Sequence, residues 1–358
     1  MGPALFFLAD APAEFHPTSP FRYDGSRNAG RAGLARIHHG GDLGEAAQLA
    51  GSEPWLDLST GISPYAFDAV PDARALKTLP QEAELAATLQ AARVAYGVPD
   101  EAAIVAAPGT QAIIQWLPVL SPAQTVAILA PTYGEHEAAW RRARADVRLI
   151  SRLDDANAAQ CVVVVNPNNP DGRITDPDQL KAFAATRGSD QVVVVDEAFC
   201  DLMPELSVSG AAGTVVLRSF GKFFGLAGLR LGFAIGDPGL MERLQTALGP
   251  WAVSGPALYV ARRALGDESF SATLRDRLKA ERKTFDTVLM EVGFNIVGGT
   301  DLFRLAESAL AQTWHERLAR AGIWTRRFED RPTWLRFGLP GAHAQRCFAA
   351  MRAIAASP

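Results

Sequence analysis

Four short runs in the middle of the chain are apolar at nearly every position: TVAIL at 125–129, CVVVV at 161–165, QVVVV at 191–195 and TVVLR at 214–218. A strand with one wet face alternates apolar and polar residues, so runs apolar throughout suit strands covered on both faces. Helical patterns lie between and before them. EAELAATLQAARVAYG, from residue 82, spaces alanine and leucine helically and stops at Gly97, and QAIIQWLPVL follows from PGT at 108–110. This alternation predicts an α/β fold with a mostly parallel sheet between helices. After about residue 250 the pattern turns to long helical stretches rich in Arg, Ala, Leu and Glu. A few strands such as GFNIV and WLRFGL interrupt them, as in a smaller α+β domain. Residues 1–36 show no periodicity. The expected division is an arm, 1–45, joining the small domain; a large domain, 46–250; and the small domain, 251–358.

At 358 residues the chain is long for one core, which fits two lobes. It is 48% hydrophobic and 21% charged, with a net charge of −4. Basic residues are scattered, with only short clusters such as Arg141–Arg142 and Arg326–Arg327, so nucleic acid and membrane surfaces are not expected partners, while a small anionic substrate is. Cys161, Cys200 and Cys347 lack metal-type spacing and suit buried thiols in a reducing compartment. The start, MGPALFFLADAPAEF, lacks a basic region before its apolar run, and no run approaches the ~18 apolar residues of a span. A cytoplasmic protein is expected.

Open parallel sheets bind ligands beyond the carboxyl ends of their strands, so the polar residues after each run matter most. These are Pro131, Thr132 and Tyr133; the turn NPNNPDG; Asp196 and Glu197; and Ser219 and Lys222. Lys222 lies in SFGKFFGLAGLRLG, among phenylalanines and glycines. The Walker A pattern fails there, because position 216 is Val and 223 is Phe. A lysine in an apolar pocket has a lowered pKa and serves as an amine nucleophile, the competing reading being a surface lysine. Asp196, after four valines, is either a salt-bridge or capping partner, or a carboxylate that keeps a heteroaromatic nitrogen protonated. APGTQAII puts Gly109, Thr110 and Gln111 at a helix start, an anion site of backbone N–H groups. The sequences after His136 and His315 lack the second histidine of HExxH, and no GxSxG occurs, which disfavours zinc proteases and serine hydrolases.

Together NPNNPDG, VVVDEAF and SFGKFFGLAGLRLG resemble the fold-type I pyridoxal 5'-phosphate enzymes, over roughly residues 37–358. They look like class I/II aminotransferases of the histidinol-phosphate aminotransferase branch. The resemblance implies that Lys222 anchors the cofactor and shuttles protons, Asp196 pairs with the pyridine nitrogen, Asn169 bonds the ring 3-oxygen and Tyr133 stacks on the ring. It gives the phosphate to Gly109, Thr110, Ser219 and Arg230, with Gln111 close by, and puts Arg336 on the substrate, at its carboxylate in the family's pattern or alternatively at its phosphate. Two departures stand out: Phe199 replaces the usual tyrosine, and LPQE, with Leu79, replaces the YPDP-like segment that reaches the neighbouring subunit's cofactor. DEAF, HHGGDLGEAAQLAG (38–51) and WLDLSTGISPYAF (55–67) are similar to the threonine-phosphate decarboxylase group of cobalamin biosynthesis. That resemblance implies decarboxylation of L-threonine O-3-phosphate, the alternative being an aminotransferase of the histidinol-phosphate type. The substrate phosphate is then expected at an anion nest of His39, Gly40 and Gly41, with Arg326 and Arg327 as weaker candidates, and a homodimer is expected.

Overall fold

The computed structural model describes residues 39–50, 54–156, 158–188 and 190–356, so the expected arm lies mostly outside the described residues. The described residues form one compact unit. Its main sheet has seven strands in the order Ala103–Ala107, Gly232–Gly236, Thr214–Ser219, Val192–Asp196, Cys161–Val165, Thr125–Leu129 and Asp146–Ile150. The four apolar runs land on four of them, mutually parallel. Gly232–Gly236 alone runs antiparallel to its neighbours, so the sheet is mixed.

Three strands carry no apolar run. Asp146–Ile150 is an edge strand that leaves Asp146, Arg148 and Leu149 exposed, and charges there protect an open edge. Ala103–Ala107 is rich in alanine, and GFAIG, bracketed by glycines, has the composition of a turn. Gly232 is there for a steric reason: a Cβ on it would lie 2.5 Å from the backbone nitrogen of Thr110.

Valines fill both faces of the central strands. Val162, Val164, Val193, Val195 and Val216 join one core cluster, while Val163, Val194, Val215 and Leu217 join the other. Each fully buried valine contributes about 1.5–3 kcal/mol. The register sets Val165, Asp196 and Leu217 side by side, so that the turn carrying Asn169, the acidic strand end and the Lys222 turn all start from one edge.

The later chain builds a four-stranded antiparallel sheet in the order Arg326–Arg327, Trp334–Gly338, Phe303–Glu307 and Asn295–Thr300, with helix Glu268–Glu291 packed on it. Leu56–Asp57 pairs in parallel with Ile323–Trp324, and helix Leu43–Ala50 packs against helix Ala311–Arg320. No described helix is long and apolar enough to cross a membrane.

Candidate functional site

Helix Thr110–Leu120 opens at Gly109, which caps it at φ +84°. The first-turn N–H groups of a helix have no internal partner and carry the positive end of its dipole. Arg230 lies against this end: its guanidinium would be 2.8 Å from a Cβ on Gly109, which glycine therefore keeps clear. Arg230 holds the left-handed conformation at φ 53° and donates to the Ala227 carbonyl at 3.1 Å. Buried Ser219 ends its strand at the turn leading to Lys222. Gly109, Thr110, Ser219 and Arg230 thus form a cationic cradle of backbone donors, the chemistry a phosphate requires.

Lys222 is half-buried in the short helix Phe220–Phe223, whose phenylalanines, with Phe224, are buried. Its Nζ stands 5.8 Å from the centroid of Phe199. Burial, with the cations Arg336 and Arg230, lowers its pKa to about 8, against the opposing pull of Asp196 and Asp57. The turn is held from behind: Ser63 N–H donates to the Lys222 carbonyl at 2.9 Å, and Phe67 N–H to Phe224 at 3.0 Å.

Asp196 is buried, and its oxygens divide between the His136 ring nitrogen at 2.8 Å and the Ala198 N–H at 3.1 Å. A buried carboxylate is costly without such partners, and these keep it in place while its own charge faces the cleft population of Lys222 and Arg336. His136 was missed by the sequence reading, which weighed it only as a zinc ligand. Its position three residues beyond Tyr133, on a helix start, was the available signal. Just behind, Arg218 bonds both Glu197 and Asp201 at 2.8 Å and lies over the Tyr96 ring, which fastens the two strand ends together.

The three asparagines of NPNNPDG separate clearly. Asn166 exchanges bonds with Thr175, and Asn168 is spent on Pro131, Thr132 and Asp171. Asn169 instead accepts from the Arg336 guanidinium at 2.5 Å through its Oδ1, which leaves the amide N–H2 as the donor. Arg336 also donates to the Ser59 carbonyl at 2.8 Å and lies 5.1 Å from the Phe303 ring, while its buried Nε has no partner among the described residues. Burial, then the neighbouring Arg326, lowers its pKa to about 10. Arg326 and Arg336 are directly paired across their strands and so share a face. Arg327, next along, turns the other way and binds Glu45 at 2.8 Å.

Tyr133 sits at the same rim, its hydroxyl donating to Gln111 Oε1 at 3.2 Å. The Gln111 amide donates to Glu135 at 2.8 Å, so its side chain is committed to this network and only its backbone belongs to the anion cradle. At His39–Gly41, where the sequence reading expected an anion nest, each residue has a contact of its own. Gly41 donates its N–H to Ser59 Oγ at 2.7 Å, a Cβ on Gly40 would meet the Ser59 carbonyl at 2.2 Å, and His39 binds Glu135 at 2.9 Å. These contacts fasten the incoming chain to the rim and occupy the Gly41 N–H. Leu79 is exposed, and the buried Phe199 packs edge-on against Phe303 at 5.0 Å.

The donor set fits pyridoxal 5'-phosphate. A cradle for a phosphate, a buried carboxylate for a ring nitrogen, an amide for a ring oxygen and a lysine partly neutral near pH 7 converge where Arg336 leaves a buried donor unpaired. Comparison with known proteins agrees with this. Residues 77–354 match the family described as Aminotransferase class I and II. A threonine-phosphate decarboxylase from Sinorhizobium sp is 45% identical over 321 residues, covering 85% of this chain and 94% of that protein. One from Pseudomonas aeruginosa is 41% identical, covering 86% and 94%. Among solved structures, the histidinol-phosphate aminotransferase from Clostridium acetobutylicum superposes with a TM-score of 0.73 at 20% identity, covering 84% of this chain and 99% of that one. That from Sinorhizobium meliloti, in complex with pyridoxal-5'-phosphate, gives 0.70 at 18%, covering 83% and 91%.

Proposed function

This chain belongs to the class I and II aminotransferase family, and from that premise we propose that it decarboxylates L-threonine O-3-phosphate to (R)-1-amino-2-propanol O-2-phosphate, as a cytoplasmic enzyme of cobalamin biosynthesis. The observation that carries the reading is the likeness, at 45% and 41% identity, to two decarboxylases over nearly their whole lengths. The geometry supports it: Arg336 lies near Lys222 and Arg326 is its cross-strand neighbour, two cations for a substrate with two anionic groups.

When bound, pyridoxal 5'-phosphate supplies the electron sink for the pair released at the substrate Cα. Gly109, Thr110, Ser219 and Arg230 would hold its phosphate, Tyr133 would pack against its ring, and Asn169 would donate to its ring oxygen. Asp196, backed by His136, would hold a proton on the ring nitrogen. Arg336, held by Asn169 and Ser59, orients the substrate carboxylate with its remaining donors. Arg326 meets the substrate phosphate, with His39 on the same rim. The bond from Cα to the carboxyl carbon breaks, carbon dioxide leaves, and Lys222 Nζ delivers the proton that replaces it.

Offered L-threonine O-3-phosphate and histidinol phosphate separately, the loaded enzyme is expected to release carbon dioxide from the first without any 2-oxo acid. Turnover of histidinol phosphate only with a 2-oxo acid would establish the aminotransferase reading instead.

In this reading the arm is 1–45, the large domain 46–250 and the small domain 251–358, and the active unit is a homodimer. Val70, Leu76, Leu79 and Trp251 are exposed at 82%, 71%, 57% and 61%. Trp251 also holds φ at +56°, which is uncommon for a bulky residue, four positions before the helix that abuts Ala75. Trp251→Glu is expected to move the sedimenting species from dimer to monomer. An active wild-type enzyme sedimenting as a monomer would refute the homodimer.

A further inference from the structure

Two strongly hydrogen-bonded residues outside the site join its two halves. One half is the Lys222 turn, whose carbonyl accepts from Ser63. The segment beyond Ser63 lies flush on that turn, since a Cβ on Gly225 would come within 2.8 Å of Ala66 Cα. The other half is the strand Trp334–Gly338, which carries Arg336 and runs into a turn at Gly341. Glu281, on helix Glu268–Glu291, reaches both. Its Oε2 accepts from the Tyr65 hydroxyl at 2.6 Å, and its Oε1 accepts from the Gly341 N–H at 2.5 Å. Arg277, one helical turn earlier, stacks its guanidinium 3.4 Å from the centroid of the Tyr65 ring. Gly341, at φ +55°, packs so closely that a Cβ would lie 2.5 Å from the Pro64 ring.

We propose that Glu281 is a positioning residue, which ties the segment bracketing Lys222 to the strand carrying Arg336 and so sets how the substrate carboxylate stands relative to the lysine. The proposal rests on the functional reading above. A carboxylate is suited to this task because it accepts two bonds at once, one on each oxygen, and bonds to a charged acceptor are the stronger class. The burden on geometry is large. Misplacement by about 1 Å far from the reacting atoms costs on the order of 10²-fold in rate. Which bond of Cα breaks also depends on its orientation, so loosening the tie should alter the product as well as the rate.

The experiment compares Glu281→Ala, Glu281→Gln and Tyr65→Phe in the loaded enzyme, with amide hydrogen exchange of peptides spanning 63–67 and 338–341. Glu281→Ala is expected to lower kcat/KM for threonine phosphate by on the order of tenfold or more at unchanged cofactor stoichiometry. It should also raise 2-oxo acid formed per carbon dioxide released and speed exchange in both peptides together. Glu281→Gln, isosteric and able to keep both contacts, should restore most of the rate. Tyr65→Phe should add little to Glu281→Ala, as expected of a coupled pair. Unchanged exchange, or faster exchange in one peptide alone, overturns the tie. Faster exchange in both with unchanged kcat/KM and product ratio overturns its role in catalysis. A wild-type enzyme that releases no carbon dioxide sinks the functional reading, and the exchange data still decide whether Glu281 joins the two segments.

Discussion

Lys222→Ala is expected to lower carbon dioxide release by on the order of 10³–10⁴-fold, the largest loss of any single substitution. A positioned proton donor is worth roughly 10²–10⁴-fold, and loss of the amine removes the covalent anchor as well. The wild-type protein, treated with cofactor and borohydride, should gain the cofactor mass at Lys222, and the variant should not. The lysine's own titration adds a signature. Burial and the two arginines hold its pKa at about 8, so near pH 7 roughly a tenth of the amine is neutral, against well under a thousandth at its ordinary 10.5. The neutral amine is the nucleophile, and its fraction grows as pH rises. Cofactor uptake by the apo-protein should therefore accelerate through about pH 8 and level off above it. A flat rate between pH 6.5 and 9, or a variant within tenfold of wild type, would remove Lys222 from this role.

Arg336→Lys should cost on the order of 10²-fold in kcat/KM for threonine phosphate, about 2.7 kcal/mol, mostly through KM. A lysine keeps the charge but loses the planar fork. Its three donors also radiate from a single nitrogen, whereas Arg336 reaches Asn169, Ser59 and a further acceptor from the separate positions of Nη1, Nη2 and its unpaired Nε. Because its pKa stays near 10, Arg336 remains protonated through neutral pH, so the loss should be constant from pH 6.5 to 9. The cofactor absorbance should be nearly unchanged, since the cradle at Gly109, Ser219 and Arg230 is intact. A loss below threefold, or one confined to cofactor retention, would show that another group holds the carboxylate.

These expectations combine two kinds of information. The valine runs were legible because a strand buried on both faces leaves an unbroken apolar signature in consecutive residues, and four of them landed where expected. Edge strand Asp146–Ile150 and glycine-bounded Gly232–Gly236 were not, since exposure breaks the first pattern and a close approach to Thr110 dictates the second. In the site, Lys222 and Asp196 announced themselves by being polar groups at the ends of apolar runs. Their supports did not. His136 comes to Asp196 across 60 positions of chain, and Glu281 to Tyr65 across 216.

By itself the sequence determined the α/β architecture and the polar strand ends that carry Lys222 and Asp196, while Asn169 and Arg336 entered through the family resemblance. It could do so because periodicity, strand-end polarity and motifs are local properties. Only the tertiary structure decided among chemically equal neighbours. It directed Asn169 to the cleft and spent Asn166 and Asn168 on the turn, set Arg326 beside Arg336 while Arg327 turned to Glu45, and closed the Gly41 N–H onto Ser59. The physical reason is the same each time. A hydrogen-bonding group is free or spent according to a partner far away in the chain, and no local pattern records that partner.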